Sequence, residues 1–153
     1  MPNVPSVRIT VPKGSRDEKM RRDLVESVLN SPKQQAYIHG GAGFGKTTLL
    51  SQIANSAPHA VWLSLDGEDD IFSLVNLLCE AVKDTFPEFD FAVSEYLPFS
   101  KKDNFIPMLA GALICGIENI PQDLVLVLDD IHTIKEADVR KFIIYLLKYP
   151  PQN

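Results

Sequence analysis

The sequence has little of three things that would define a protein class at once: cysteine, excess positive charge and long apolar runs. Only two cysteines occur in 153 residues, and Cys79 and Cys115 have neither metal-ligand nor C-x-x-C spacing, so we expect core thiols. The formal net charge of −5 argues against broad attraction to nucleic acid or anionic lipid. No run approaches the ~18 apolar residues of a membrane span, and the N-terminus lacks a signal-peptide hydrophobic region. We therefore expect a cytoplasmic protein with no membrane partner and no direct DNA binding.

Arginine is also scarce. Arg140 is the only arginine after residue 22, which disfavours an enzyme that brings several arginines onto a transferred phosphate. Near the N-terminus, basic residues alternate loosely with acidic ones, which predicts a solvated helix face more strongly than a nucleic-acid patch. These basic residues are Lys13, Arg16, Lys19, Arg21 and Arg22.

The most specific stretch present is Ala36–Leu50, AYIHGGAGFGKTTLL, which contains the complete G-x-x-x-x-G-K-[ST] phosphate-loop pattern. Glycines reach positive φ and let backbone amides curl around an anion, and the following helix directs its free amides towards that anion. We expect Lys46 to contact the β- and γ-phosphates as a catalytic cation and Thr47 to bind Mg²⁺. The alternative is a glycine loop that only joins a strand to a helix. The predicted nucleotide-binding residues are Gly40, Gly41, Ala42, Gly43, Phe44, Gly45, Lys46, Thr47 and Thr48.

Hydrophobic periodicity divides the chain into an extended lead-in over 1–15, with at most a short strand at Val7–Val11, and one domain over 16–153. Strands alternate with helices, which predicts an α/β layer fold with a mostly parallel sheet flanked by helices. The irregular segment Glu88–Lys102 is predicted as a loop. Predicted helices are Arg16–Asn30, Lys46–Ala57, Ile71–Phe86 (capped by Asp69 or Asp70), Asp103–Ile117 and Glu136–Lys148, and predicted strands are Ala36–His39, Ala60–Leu65 and Leu124–Leu128.

A second candidate site follows Leu124–Leu128, a continuous apolar run typical of a strand buried on both faces. Because ligands of parallel α/β sheets bind beyond the carboxyl ends of the strands, Asp129 is predicted to face the phosphate loop and hold Mg²⁺ opposite Thr47. Asp130 is placed to orient or deprotonate an attacking water. Alternatively, one of these aspartates only caps the following turn.

Two further polar residues carry weaker signals. His132 could contact phosphate or act as a relay, but a lone histidine is more often a satisfied loop residue. Asp66, at the end of another predicted strand, could reach the edge of the site, although an aspartate before Gly67 more often belongs to a turn.

Three segments together, YIHGGAGFGKTTLLSQIA, VWLSLDGEDD and LVLVLDDIHTI, resemble the nucleotide-binding domain of MalT-like regulators. These are large ATP-binding LuxR-type transcriptional activators of the STAND class of P-loop ATPases. The resemblance covers about residues 16–149. It implies a three-layer P-loop NTPase fold, phosphate binding at Gly40–Thr48, a metal on Thr47 and Asp129, and an acid and histidine signature at Asp130 and His132. The family commonly has tyrosine where this chain has Ile131.

The resemblance also implies that family members continue beyond this segment, into a further core strand with a sensor arginine and then into additional domains. We therefore expect the N-terminal portion of a larger regulator, with a P-loop fold incomplete at its C-terminal end. The flank of the sheet beside Ala36–His39 would then be an exposed edge, open to self-association.

Three functions compete at this stage. The first is a switch module that binds ATP or ADP with Mg²⁺, joined to the rest of a regulator, and that is at most a slow ATPase. The second is a stand-alone P-loop enzyme such as a small-molecule kinase. The third is a degenerate domain that serves as a protein-interaction scaffold, which the intact Lys46, Thr47 and Asp129 disfavour.

Overall fold

The computed structural model describes residues 6–14, 18–38 and 45–153. Within them the chain forms two strands and five α-helices, with short 3₁₀ turns at Ser6–Arg8, Val93–Phe99 and Ile131–Thr133. In chain order the elements are α1 (Arg22–Leu29), α2 (Lys46–Ser56), β1 (Ala60–Ser64), α3 (Ile71–Thr85), α4 (Phe105–Glu118), β2 (Val125–Asp129) and α5 (Ala137–Lys148).

The two strands pair in parallel, with Ala60 opposite Val125 and Ser64 opposite Asp129. Their carboxyl ends therefore lie side by side at one edge of the sheet. Trp62 and Val127 face α2, where they pack around Ala54, while Val61 and Leu63 lie in the larger core formed with α3, α4 and α5. Helices thus cover both faces of the sheet, as the unbroken apolar strands require. This arrangement fits the predicted α/β class.

Most predicted elements are confirmed within one or two residues at each end. Asp70 caps α3: its side chain accepts a hydrogen bond from the Ser73 amide, and the Ser73 hydroxyl binds the Asp70 amide in return. The predicted loop Glu88–Lys102 contains the 3₁₀ helix Val93–Phe99, and the short strand allowed at Val7–Val11 is wrong, since Ser6–Arg8 forms a 3₁₀ turn there.

The helix predicted from Arg16 begins only at Arg22. Residues 18–21 have no regular structure, and residues 15–17 lie outside the described ranges. The cause lies in α2, because the Gln52 side chain binds the backbone of this segment: Nε2 donates to the Lys19 carbonyl at 3.0 Å and Oε1 accepts from the Arg21 amide at 3.0 Å. These bonds hold residues 18–21 in an irregular conformation against α2, and α1 therefore begins only at Arg22.

The strand predicted at Ala36–His39 is also wrong over the part that is described. Residues 36–38 have no regular secondary structure, and His39 lies outside the described ranges. A strand needs a hydrogen-bonded neighbour, and a cleft separates this segment from β2, since both line its walls.

Each strand of this two-stranded sheet has an outer edge among the described residues, and the outer edge of β2 borders the cleft. The bonds from the Val125 amide to His59 and from the Leu65 amide to the Asp129 carbonyl show that odd-numbered β2 residues bond to β1. By the alternation of a parallel ladder, the main-chain groups of Leu126 and Leu128 point away from β1. No helix among the described residues is long and apolar enough to cross a membrane.

Candidate functional site at the carboxyl edge of the sheet

The first part of the site is the start of α2. Gly45 precedes this helix with φ 72° and ψ 35°, in the left-handed region, where a residue with a Cβ is strained. The chain thus turns from the glycine loop into the helix at a position that requires glycine. Lys46 and Thr47 occupy the first turn, where backbone amides have no partner within the helix. The rest of the predicted loop, Gly40, Gly41, Ala42, Gly43 and Phe44, lies outside the described residues.

The second part is the end of β2, where Asp129 is buried with 8% of its surface exposed. One carboxylate oxygen, Oδ2, accepts a hydrogen bond from the Thr47 hydroxyl at 2.9 Å. The other, Oδ1, accepts from the Asp130 amide at 2.9 Å. The two residues predicted to share a metal are therefore in direct contact although they are 82 positions apart. Asp129 also accepts a hydrogen bond within the following turn, which is the contact that the capping interpretation predicts.

Asp130 has φ 60° and is the non-glycine residue with positive φ among the described residues. Aspartate tolerates this conformation better than most residues, but at a cost in free energy. Thr133 holds the strained backbone in place, because its amide and its hydroxyl both donate to the Asp130 carbonyl, at 2.9 and 2.7 Å. Within the described residues, the Asp130 carboxylate accepts no side-chain or backbone hydrogen bond, and it borders the cleft.

The turn after β1 braces the turn after β2. A Cβ on Gly67 would lie 2.7 Å from the Thr133 carbonyl oxygen, so only glycine permits this approach. The Asp66 carboxylate accepts from the Glu68 amide at 3.0 Å, which supports its interpretation as a turn residue. The Arg8 guanidinium binds Asp69 and the Ser64 carbonyl oxygen from the far side, which attaches the N-terminal segment to the carboxyl end of β1.

A cleft of about 790 Å³ is lined by residues of β2, by the segment 36–38 and by part of the groups described above. Its size is that of an ordinary small-molecule site. The predicted functional residues that line the cleft are Lys46, Thr47, Asp129, Asp130 and His132. His132 is exposed within the 3₁₀ turn that follows Asp130.

The donor set here suits a hard divalent cation. A threonine hydroxyl and a carboxylate supply oxygen ligands, and Mg²⁺ completes its shell with waters and substrate phosphates rather than with a full set of protein ligands. Among the described residues no cluster of three or more histidine, cysteine or acidic side chains forms a metal cage. Thr47 and Asp129 thus fit an ion that is brought by a phosphate-bearing ligand.

Sequence reasoning missed one contact beside this site. Arg21 is exposed, as predicted for the basic face near the N-terminus, but its guanidinium also lies near Gly45: a Cβ there would be 3.0 Å from Nη2. No local pattern predicts this contact, because it joins the residue before α1 to the start of α2. The buried Gln52 was the available hint, since a polar side chain on the inner face of a helix needs partners.

Comparison with known proteins finds relatives among HTH-type transcriptional regulators. The chain is 28% identical over 113 residues to the HTH-type transcriptional regulator MalT of Vibrio parahaemolyticus, 26% over 113 residues to that of Vibrio campbellii and 28% over 113 residues to that of Klebsiella pneumoniae. Each match covers 73% of this chain and 12% of the relative, so the chain spans about an eighth of these proteins. No family model matches the chain, and no solved structure matches it. The similarity supports a MalT-like relationship.

Proposed function

We propose that this chain is a nucleotide-binding switch module of a MalT-like transcriptional regulator. It binds ATP or ADP at Gly40–Thr48, with Mg²⁺ held between the nucleotide phosphates and the pair Thr47 and Asp129. The observation that carries the proposal is the 2.9 Å hydrogen bond between those two side chains. It joins the two sequence motifs at the edge of the sheet where parallel α/β folds bind ligands.

The described residues have different roles in the proposed binding. Lys46 supplies a positive charge at the start of α2, and the amides of the first turn add their dipoles towards an anion. Asp129 supplies negative charge that attracts the cation. When bound, Mg²⁺ would neutralise phosphate charge.

A switch requires that the bound nucleotide affects a part of the protein that can differ between states. The strained turn at Asp130 is suited to this, because it follows the metal-binding carboxylate directly and is braced by Thr133 and, through Gly67, by the turn after β1. A change in the bound phosphates would thus alter the contacts at the carboxyl ends of both β1 and β2. The similarity to HTH-type transcriptional regulators supports a regulatory role for the whole protein.

The proposal is tested by calorimetric titration of the wild-type protein and of Lys46→Ala with ATP, ADP and GTP. We expect the wild type to bind an adenine nucleotide and the variant to bind it at least about tenfold more weakly, the loss typical of one charge-assisted contact. Arg140→Ala removes a positive charge from α5 and serves as the control. Equal affinity of the Lys46 variant and the wild type would contradict phosphate binding at this loop.

A further inference from the structure

The N-terminal segment 6–11 packs against β1 and contacts both faces of the sheet. Ile9 packs against the larger core, which includes Val61 and Leu63. Val11 packs on the opposite side, against the cluster that contains Trp62. The segment therefore passes from one face of the sheet to the other beside β1.

Arg8 attaches this segment to the carboxyl end of β1. Its Nε and Nη2 donate to the Ser64 carbonyl at 3.1 and 3.0 Å, its Nη1 donates to Asp69 Oδ1 at 3.0 Å, and its Nη2 also binds Asp69 Oδ2. Only 19% of the Arg8 side chain and 7% of the Asp69 side chain are exposed. Loss of one partner from so buried a pair leaves an uncompensated charge, so this pair contributes strongly to the attachment.

The first acceptor of Arg8, Ser64, belongs to the strand end beside the predicted metal site. Ser64 lies opposite Asp129 in the parallel ladder, and the amide of the next residue, Leu65, donates to the Asp129 carbonyl at 3.0 Å. Arg8 therefore fixes the stretch of β1 that holds the backbone of Asp129.

The second acceptor, Asp69, belongs to the turn after β1. Its carboxylate also accepts from the Asp66 amide at 3.1 Å, which closes the turn around Gly67. Gly67 in turn lies against the Thr133 carbonyl, since a Cβ there would be 2.7 Å from that oxygen. Through Asp69, Arg8 thus also fixes the turn that braces the residues following Asp129.

We propose that Arg8 is a positioning residue for the Mg²⁺ site, and that attachment of segment 6–11 and binding of the Mg²⁺-nucleotide strengthen each other. The inference rests on the proposed function, since it concerns the same ligand. Arg8 contacts neither the cation nor a phosphate. It acts through Ser64 and Asp69, which hold both strand ends in the arrangement that places Asp129 beside Thr47. Because coupling between two sites is reciprocal, the bound ligand in turn favours the attached segment.

The first test follows trypsin cleavage of the wild-type protein after Arg8 and after Lys13, with and without saturating ADP and Mg²⁺. Trypsin takes up the side chain that precedes the cut, so it cuts after Arg8 only when Arg8 has left Asp69. Lys13 is exposed and serves as the internal control. Mass spectrometry at early times separates the two products, which begin at residues 9 and 14.

We expect the ligand to slow cleavage after Arg8 by about fivefold or more, the low end of ordinary coupling between sites. Cleavage after Lys13 should change by less than about twofold, because the exposed site is already open to the protease. The proposal is overturned if the ligand does not slow cleavage after Arg8, or if it slows both cuts equally.

The second test compares ADP binding by Arg8→Gln, Asp69→Asn and Lys13→Gln, titrated by calorimetry with and without Mg²⁺. Arg8→Gln and Asp69→Asn should each weaken Mg²⁺-dependent binding by about fivefold or more, and the double variant should lose no more than the weaker-binding single variant, because both changes break one pair. Lys13→Gln also loses one positive charge and should stay within about twofold of the wild type.

Asp69→Asn separates positioning from a direct contact of Arg8 with phosphate. Removing a negative charge would not weaken a direct contact, so a loss confined to Arg8→Gln overturns the positioning role. Equal losses with and without Mg²⁺ overturn the connection to the metal site. Circular dichroism establishes that each variant is folded, and the cleavage test needs no variant. Failure of the wild-type protein to bind ADP would instead contradict the proposed function itself.

Discussion

The Asp129 carboxylate receives hydrogen bonds from two directions, the Thr47 hydroxyl at 2.9 Å and the Asp130 amide at 2.9 Å. This arrangement connects the start of α2 with the turn that follows β2. A cation bound to Asp129 Oδ2 would compete with the Thr47 hydroxyl for that oxygen. The carboxylate would then also change its bond with the amide of the strained residue Asp130. In the proposed function, Asp129 would therefore bind the cation and also connect the start of α2 with this turn through its hydrogen bonds.

Asp130 and Asp129 differ in what substitution should do. Asparagine tolerates the left-handed conformation that Asp130 adopts with φ 60°, so Asp130→Asn should keep the fold and bind nucleotide within about twofold of the wild type. Its residual hydrolysis rate should fall, because the amide cannot accept a proton from an attacking water. A radiolabelled phosphate-release assay beside a binding titration measures both. Unchanged hydrolysis would show that Asp130 serves only the turn.

Some contacts between residues could be predicted from the sequence and others could not. The partnership of Thr47 and Asp129 was predictable, because each belongs to a motif and strand ends of a parallel sheet share an edge. The contact of Arg21 with Gly45 was not, because the direction of a side chain across two segments depends on the Gln52 bonds, which no local pattern encodes.

Among the elements, α3 shows most clearly how one cap fixes a helix. The Asp70 carboxylate accepts from the Ser73 amide at 2.8 Å and from its hydroxyl at 2.7 Å. The bond from the Ser73 backbone amide has the larger effect and the bond from its hydroxyl the next, and together they hold the pKa of Asp70 below its ordinary value of 3.8. Asp70→Ala should lower the free energy of unfolding by about 1 kcal/mol, the usual cost of a lost N-cap. Urea unfolding at neutral pH measures it.

The depressed pKa gives this cap a defined pH dependence. Its charged form contributes fully above the unfolded-state pKa, and the contribution is lost as the pH falls through the lower folded-state value. The stability difference between the wild type and Asp70→Ala should therefore shrink in acid below the ordinary value of 3.8. A difference that stays constant into strong acid would contradict the role of the charged carboxylate. Asp70→Asn keeps a capping side chain and should lose less than the alanine variant at neutral pH.

Helices and strands were predictable where periodicity, caps and prolines agreed, as in α3 and β2. The prediction failed where a distant contact decides the outcome. Residues 18–21 have helical periodicity, but Gln52 binds their backbone and α1 begins later. Ala36–Ile38 reads as a strand, yet the cleft separates it from β2.

At the scale of the whole molecule, the cleft beside β2 leaves the main-chain groups of Leu126 and Leu128 without a neighbouring strand among the described residues. Unpaired strand edges favour association with another chain. We therefore expect the weight-average sedimentation coefficient to rise with protein concentration. A coefficient independent of concentration would contradict self-association through this edge.

Lys46 is the cation that the sequence motif places at the proposed phosphate site, whereas Arg140 is an exposed residue of α5. Efficient phosphoryl transfer needs cationic groups positioned on the charge that develops at the γ-phosphate, and one such arginine changes the rate by about 10³–10⁵. We expect this chain to hydrolyse ATP more slowly than about one turnover per second, the low end of ordinary enzyme rates. Faster turnover, measured by phosphate release, would favour a stand-alone enzyme.

The proposed function depends on the binding of a nucleotide-associated cation by Asp129 beside Thr47. The most direct measurement is the affinity for ADP of the wild type and of Asp129→Asn, each titrated with and without Mg²⁺. Because a carboxylate at this position acts through the cation, the variant should lose most of the Mg²⁺-dependent gain in affinity and bind metal-free ADP nearly as the wild type does. Equal losses with and without Mg²⁺ would show that Asp129 only shapes the turn and does not bind the cation.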